Sequence, residues 1–273
     1  MSKEKGSKKS LTGLLVTVIL LLAAAVLPLP EGVTRSGWFS LAIFFSAIVL
    51  WICDTMPMCV TAFATMFLLV VFGVMDLSTV FSSFGGSSFF FAIATFAVSI
   101  ALENTSVPLR ICNTLTKWSG GSSRRLVIML MLACALTSSV MSNLSTCIIY
   151  LGLGTALLKA NNCQPLKSNL GKCLMIGIPA TAGCGGLITP AGTPGNLLIM
   201  DLLETAGTPL SFLQWTLLFA PISILTVIIC GIWVTKIFPP EQVEPSAIAA
   251  MNQKLVEHGR LNTQEKKTIV IIL

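Results

Sequence analysis

Residues 130–158 read LMLACALTSSVMSNLSTCIIYLGLGTALL. The segment is apolar at both ends and polar at its centre, where Ser138, Ser139, Ser142, Asn143, Ser145 and Thr146 cluster. Basic residues flank it, Arg124 and Arg125 before and Lys159 after. Each apolar arm is about 16 residues, which as helix rises roughly 24 Å, short of a ~30 Å hydrocarbon core. Lipid cannot solvate the central hydroxyls and amide, so they must face protein or a bound species. Two short arms with their ends on one face describe a re-entrant helical hairpin whose tip, 138–146, lies near the bilayer midplane. Two short ordinary spans return the chain to the same side and stand as the alternative; arm length and the polar tip favour the hairpin.

The rest of the chain sets that segment in a membrane. Of 273 residues, 54% are hydrophobic and 10% charged, against roughly 25% charged in a soluble domain. Mean hydropathy is +0.88. The apolar residues come in runs of spanning length, without the short alternating segments of a β-barrel, so the expected class is an all-α polytopic membrane protein. The net charge of +6 does not point to nucleic acid, because the basic residues sit in short loops between apolar runs. Nine cysteines form no C-x-x-C pair and read as small packing residues, and His258 reads as a solvated linker residue.

Six spans are expected: 11–27, 37–53, 56–74, 89–102, a broken fifth within 173–204, and 212–238, with 268–273 opening a seventh. Residues 1–10 form a basic cytoplasmic N-terminus and 11–104 scaffold helices one to four. Residues 105–160 hold a cytoplasmic loop and the hairpin, 161–238 the broken helix and helix six, and 239–267 a cytoplasmic linker. Alternating from a cytoplasmic N-terminus places every Lys and Arg except Arg35 inside, and Glu31, Asp76, Asp201 and Glu204 outside, which fits a multi-pass protein of the cell inner (plasma) membrane. Trp38, Trp51, Trp118, Trp215 and Trp233 fit interfacial anchors.

The run CLMIGIPATAGCGGLITPAGTPGNLLIMDLLE, 173–204, is interrupted like the first. Glycine and proline cost a helix interior ~1 and ~3 kcal/mol, so AGCGGLITPAGTPGN cannot be continuous helix. Such a break exposes carbonyls from one half-helix and N–H groups from the other. Two interruptions at one depth are the pattern of secondary transporters: helix N-termini suit an anion, and unwound carbonyls suit a hard cation such as Na⁺. Asn143 offers an acceptor and donors, while Ser138, Ser142, Ser145, Thr146, Thr189 and Thr193 add hydroxyls for either species. Such residues also serve as packing contacts between membrane helices. Two clusters, each interrupting a helix at mid-run, favour a site.

MSNLST followed by GGLITPAGTPGN, with WICDTMPMCVTA upstream, resembles the divalent anion:sodium symporter family, whose members carry a Ser-Asn-Thr tip and a downstream GG-x-x-T-x-x-GT-x-x-N segment. The resemblance implies an elevator-type sodium symporter of di- and tricarboxylates or sulfate, built from two inverted repeats and homodimeric at full length. It implies Ser138, Ser142, Asn143 and Gly186 as ligands of the first sodium site, with Ser142 and Asn143 also touching substrate. With the second break included, the expected Na⁺ set extends to Thr189 and Gly192, and the anion set to Ser145, Thr146, Thr189 and Thr193. Leu144 replaces the motif's threonine and removes a hydroxyl from the anion side. The chain stops within TIVIIL, so the expectation is a first half that lacks its second repeat and does not transport alone. A related exporter or proton-coupled antiporter, for example of arsenite, and a non-transporting truncated product are the alternatives. An intramembrane enzyme would need a nucleophile with a base, or a carboxylate pair, at depth, and the sequence offers neither there.

Overall fold

The computed structural model describes residues 2–244 and 246–248, and all regular structure among them is helical. His258, the rest of the linker and the apolar start at 268–273 lie outside the described residues. The chain divides into two compact units, one ending at Gly86 and one beginning at Ser87.

The first unit holds α1 (Ser2–Val26), α2 (Arg35–Ile52), α3 (Met58–Val71) and the short α4 (Leu77–Ser82). Thr34 caps α2 by accepting the Gly37 N–H at 3.2 Å, and Pro57 pre-sets the start of α3. α1 packs on α2 and α2 on α3, with Trp38 Nε1 donating to the Ala24 carbonyl at 3.2 Å and Phe39 stacked on Phe72 at 4.8 Å. α3 is shorter than the 56–74 span expected, at 14 residues.

The second unit holds α5 (Ser87–Glu103), α6 (Val107–Thr116), α7 (Ser123–Ser138), α8 (Asn143–Ala160), α9 (Asn169–Gly185), α10 (Pro194–Thr205) and α11 (Phe212–Ile237). α7 is its centre. Leu126, Val127, Leu130, Met131, Ala133, Cys134 and Ala135 are all buried, because α6, α9 and α11 pack around it. α7 and α9 touch backbone to backbone: a Cβ on Gly185 would lie 2.5 Å from Ala135 Cα, so only glycine permits this approach. α8 lies on α9. A capping box starts α11, with Ser211 N–H donating to Gln214 Oε1 at 2.8 Å and the Gln214 N–H to Ser211 Oγ at 3.3 Å.

Two expectations change here. The stretch after α5, expected as loop, contains α6, started by Pro108 in its first turn and bent 66° from α5. Trp215, expected as an interfacial anchor, is 1% exposed, stacked on Phe219 at 4.3 Å. Four helices are long and apolar enough to cross a membrane (the windows Lys9–Val26, Arg35–Ile52, Asn143–Ala160 and Phe212–Ile237), and the bent α5–α6 pair makes five if counted as one span.

The chain leaving α11 straps the ends of three helices together. The Glu241 carboxylate accepts the N–H groups of Asn169 and Leu170, each at 2.7 Å, and the Ser168 hydroxyl at 3.1 Å, capping α9. Asn161 at the end of α8 donates to the Gln242 carbonyl at 3.2 Å and accepts the Glu244 N–H at 3.0 Å. The Val243 N–H donates to Ser123 Oγ, the first residue of α7, at 2.9 Å. Desolvation alone would raise the Glu241 pKa. The N–H groups of Leu170, Glu241 itself and Asn169 and the Ser168 hydroxyl outweigh it, so the carboxyl titrates below its ordinary value of 4.5. A depressed carboxyl contributes stability that is full above the ordinary carboxylate range and is lost as pH falls through the folded value. Glu241→Gln is therefore expected to lower the thermal midpoint at pH 7 by the equivalent of about 1 kcal/mol, a low figure because the carboxylate is solvent-exposed. The variant should also lose part of the acid sensitivity that sets in below that ordinary value. Melting curves across pH check this; wild-type acid sensitivity in the variant would contradict it.

Candidate ion- and anion-binding site

Polar residues inside an apolar helix end it when the backbone finds other partners, and both interruptions do so. α7 stops at Ser138, residues 139–142 are irregular, and α8 begins at Asn143 with Ser142 as its N-cap. α9 stops at Gly185, the chain passes a 3₁₀ turn at Pro190–Gly192, and α10 begins at Pro194, with Thr193 extended before it. The irregular tip is thus shorter than the 138–146 expected. Ser138 closes a helix, and Asn143, Ser145 and Thr146 lie in the first turn of the next.

The two breaks meet. Ser138, fully buried, has its Oγ 2.7 Å from Asn143 Oδ1 and 2.8 Å from the Ala182 carbonyl oxygen. The Thr189 hydroxyl donates to the Ser139 carbonyl. Asn143 lies directly over Gly186, where a Cβ would fall 2.8 Å from Nδ2 and 2.9 Å from Cγ. Gly192 packs against Gly186 in turn, a Cβ there falling 2.8 Å from Gly186 Cα. Ser138, Asn143, Gly186, Thr189 and Gly192 therefore form one contiguous cluster.

The other expected residues are placed less uniformly. Ser142 is exposed, and its backbone N–H donates to Ser99 Oγ at 2.9 Å. Ser145 and Thr193 are half-buried, and among the described residues neither side chain makes a hydrogen bond. Thr146 is fully buried with its hydroxyl unpartnered among the described residues. Leu144 is 71% exposed.

Three residues missed by sequence reasoning complete the junction. Asn196, 1% exposed, donates from one amide nitrogen to the carbonyls of Gly186 at 2.7 Å and Thr189 at 2.8 Å. Asn196 is the final residue of the GG-x-x-T-x-x-GT-x-x-N segment, to which sequence reasoning gave no role. Trp215 Nε1 donates to the Leu187 carbonyl at 3.1 Å, and Ser99 comes from α5. Neither of these had a local signal.

The donor set suits an alkali cation. Ser138 has one hydroxyl proton for two close oxygens, so Ser138 Oγ, Asn143 Oδ1 and the Ala182 carbonyl share fewer protons than their lone pairs could use. The Gly186 carbonyl has a second lone pair beyond the one facing Asn196. The C-terminal ends of α7 and α9 bring partial negative charge to the junction, and the N-terminal ends of α8 and α10 bring partial positive charge beside it. No group of His, Cys, Asp or Glu able to hold a transition metal occurs among the described residues.

A family model described as the sodium:sulfate symporter transmembrane region matches residues 8–273. The chain belongs to this family. It is the divalent anion:sodium symporter family that the motifs resemble, a family of transporters rather than enzymes, and the chain is a multi-pass membrane protein. A sodium-dependent dicarboxylate transporter, SdcS, of Staphylococcus saprophyticus is 27% identical over 277 residues, covering 96% of this chain and 53% of that protein. The SdcS of Staphylococcus aureus strain USA300 is 24% identical over 282 residues, covering 99% of this chain and 54% of its own length. That of strain MRSA252 is 25% identical over 287 residues, with 99% and 55% covered. The chain thus spans about half the length of the curated relatives it matches. Sodium is named both by the family and by these relatives.

Proposed function

We propose that the chain takes part in sodium-coupled symport of a divalent anion, of the dicarboxylate, tricarboxylate or sulfate type, across the cytoplasmic membrane. The observation that carries this is the Ser138–Asn143–Ala182–Gly186 oxygen cluster at the meeting of two helix breaks. In this reading Ser138 Oγ, Asn143 Oδ1 and the Gly186 carbonyl coordinate Na⁺, with Ser142, Thr189 and Gly192 completing the wall. The anion lies at the α8 and α10 N-termini against Ser142, Asn143, Ser145, Thr146, Thr189 and Thr193. Bound sodium supplies positive charge where the protein has no Lys or Arg, so dipoles, hydroxyls and cation hold the anion together and release it together.

The proposal extends to topology and assembly. The N-terminus is cytoplasmic, α7 and α8 form a re-entrant hairpin, and the chain makes six spans. The chain is one inverted repeat of an elevator-type homodimer, consistent with its covering half of its relatives, and the other repeat supplies the second half of the anion cage. Two sodium ions with a dianion move no net charge, whereas a third would add ~2.3 kcal/mol of drive per 100 mV.

The test is a thermal-shift titration of the purified chain with NaCl against choline chloride, alongside succinate and sulfate uptake into proteoliposomes by the chain co-reconstituted with a second repeat. Sodium is expected to raise the midpoint, and Asn143→Ala to remove that rise along with uptake. A sodium response that survives Asn143→Ala would take this residue out of the site, and sodium-independent uptake would overturn the symport reading.

A further inference from the structure

A cleft of about 550 Å³ lies between the end of α8 and the start of α9, apart from the junction of the two breaks. Its wall is largely apolar, with Leu158, Met175 and Ile176 along it and Leu166 at the α8–α9 connection. Leu166 is 98% exposed and its backbone is left-handed, φ +65°, a conformation that a bulky residue rarely adopts. Two cations, Lys159 and Lys172, line the same cleft, and no Asp or Glu does. Neither lysine meets a carboxylate among the described residues. Lys172 Nζ is 3.3 Å from Asn169 Oδ1 and 5.6 Å from the centre of the Phe238 ring. Lys172 closes the first turn of α9, whose N–H groups the Glu241 carboxylate already caps.

We propose that this cleft binds an anionic phospholipid. The phosphate is held between the Lys159 and Lys172 ammonium groups, and an acyl chain lies along Leu158, Met175 and Ile176 with Leu166 inserted beside it. The combination selects this occupant. An apolar wall offers nothing to a free phosphate, and paired lysines favour a lipid of net negative charge over a zwitterionic one, whose own ammonium offsets its phosphate. Basic pockets where membrane helices end are where anionic headgroups gain most from nearby lysines. Because α8 and α9 each reach the junction at their other ends, a lipid seated here would touch two of the helices that carry the candidate site.

The experiment is native mass spectrometry of the purified full chain in micelles doped with phosphatidylglycerol or phosphatidylcholine, with and without inorganic phosphate. Wild type is expected to retain phosphatidylglycerol preferentially, and inorganic phosphate should not displace it. Lys159→Gln/Lys172→Gln should lower that retention by on the order of tenfold, while Lys117→Gln, an exposed lysine elsewhere, should leave it unchanged. Leu166→Ser should weaken both lipids, which separates the chain contact from the headgroup contact. Equal retention of the two lipids by wild type, displacement by phosphate, or a double variant behaving as wild type would each overturn the proposal.

Discussion

Gly186→Ala is expected to abolish the sodium-dependent rise in thermal stability, and Gly183→Ala, in the same glycine-rich run, to leave it intact. The two positions differ in what a methyl group meets. At Gly186 the added Cβ falls on the Asn143 amide, 2.8 Å from Nδ2 and 2.9 Å from Cγ, while at Gly183 nothing lies within 4 Å. Asn143 is half-buried, so its side chain can rotate away and the fold survives. That rotation takes Oδ1 off Ser138 and dismantles the oxygen cluster. Loss of a supporting contact around a metal typically costs 10–100-fold in affinity, and here a proposed ligand itself is displaced, so sodium affinity should fall on the order of 100-fold or more. Gly183→Ala, inside α9, should slightly stabilise the helix, by up to ~1 kcal/mol. Thermal midpoints of both variants across a sodium titration read this directly. A normal sodium response in Gly186→Ala would move the ion away from this junction.

Much of the helical layout was legible in the sequence because it depends on local chemistry. Apolar runs fixed α1, α2 and α11, and the Gly and Pro of AGCGGLITPAGTPGN fixed the second break. Legibility failed where a local signal had two physical causes. The polar run 138–146 read as unwound backbone, yet most of its residues are helical, and Ser138 and Thr146 are fully buried. Arg110 and Lys117 made 105–122 read as loop. Pro108 in a first turn, with Cys112 and Thr116 on its buried face, was the helix signal there. Trp215 stands near a helix start, which suggests an interfacial ring, but its N–H serves the Leu187 carbonyl beside a break 28 residues earlier in the chain. The bonds that join the breaks connect residues 44 and 50 apart, and no hydrophobic period encodes such a pairing. The family motif carried information that periodicity could not, because it paired Asn143 with Gly186, and the two residues do lie against each other.

Asn196→Leu should be the most destabilising single change at the junction. The side chain is 1% exposed, and its amide holds the Gly186 and Thr189 carbonyls, which lie at two points of the unwound segment. Leucine matches the volume but donates nothing, so two buried carbonyls lose a partner. An unsatisfied buried group costs ≈ 1–3 kcal/mol, which puts the loss at roughly 2–4 kcal/mol after partial relaxation. The sodium dependence separates positioning from mere packing. If Asn196 aims the Gly186 carbonyl, the variant should need on the order of tenfold more sodium for half its stabilisation. Saturating sodium should then recover part of the lost midpoint, because the ion gives that carbonyl a partner again. A packing defect would lower the midpoint by the same amount at every sodium concentration. Trp215→Phe is the comparison, since it removes the bond to the Leu187 carbonyl and some buried ring volume, neither of them part of the proposed ion site, and should lower stability without moving the sodium midpoint. Equal sodium midpoints in wild type and Asn196→Leu would leave Asn196 a structural brace and sever its link to the ion.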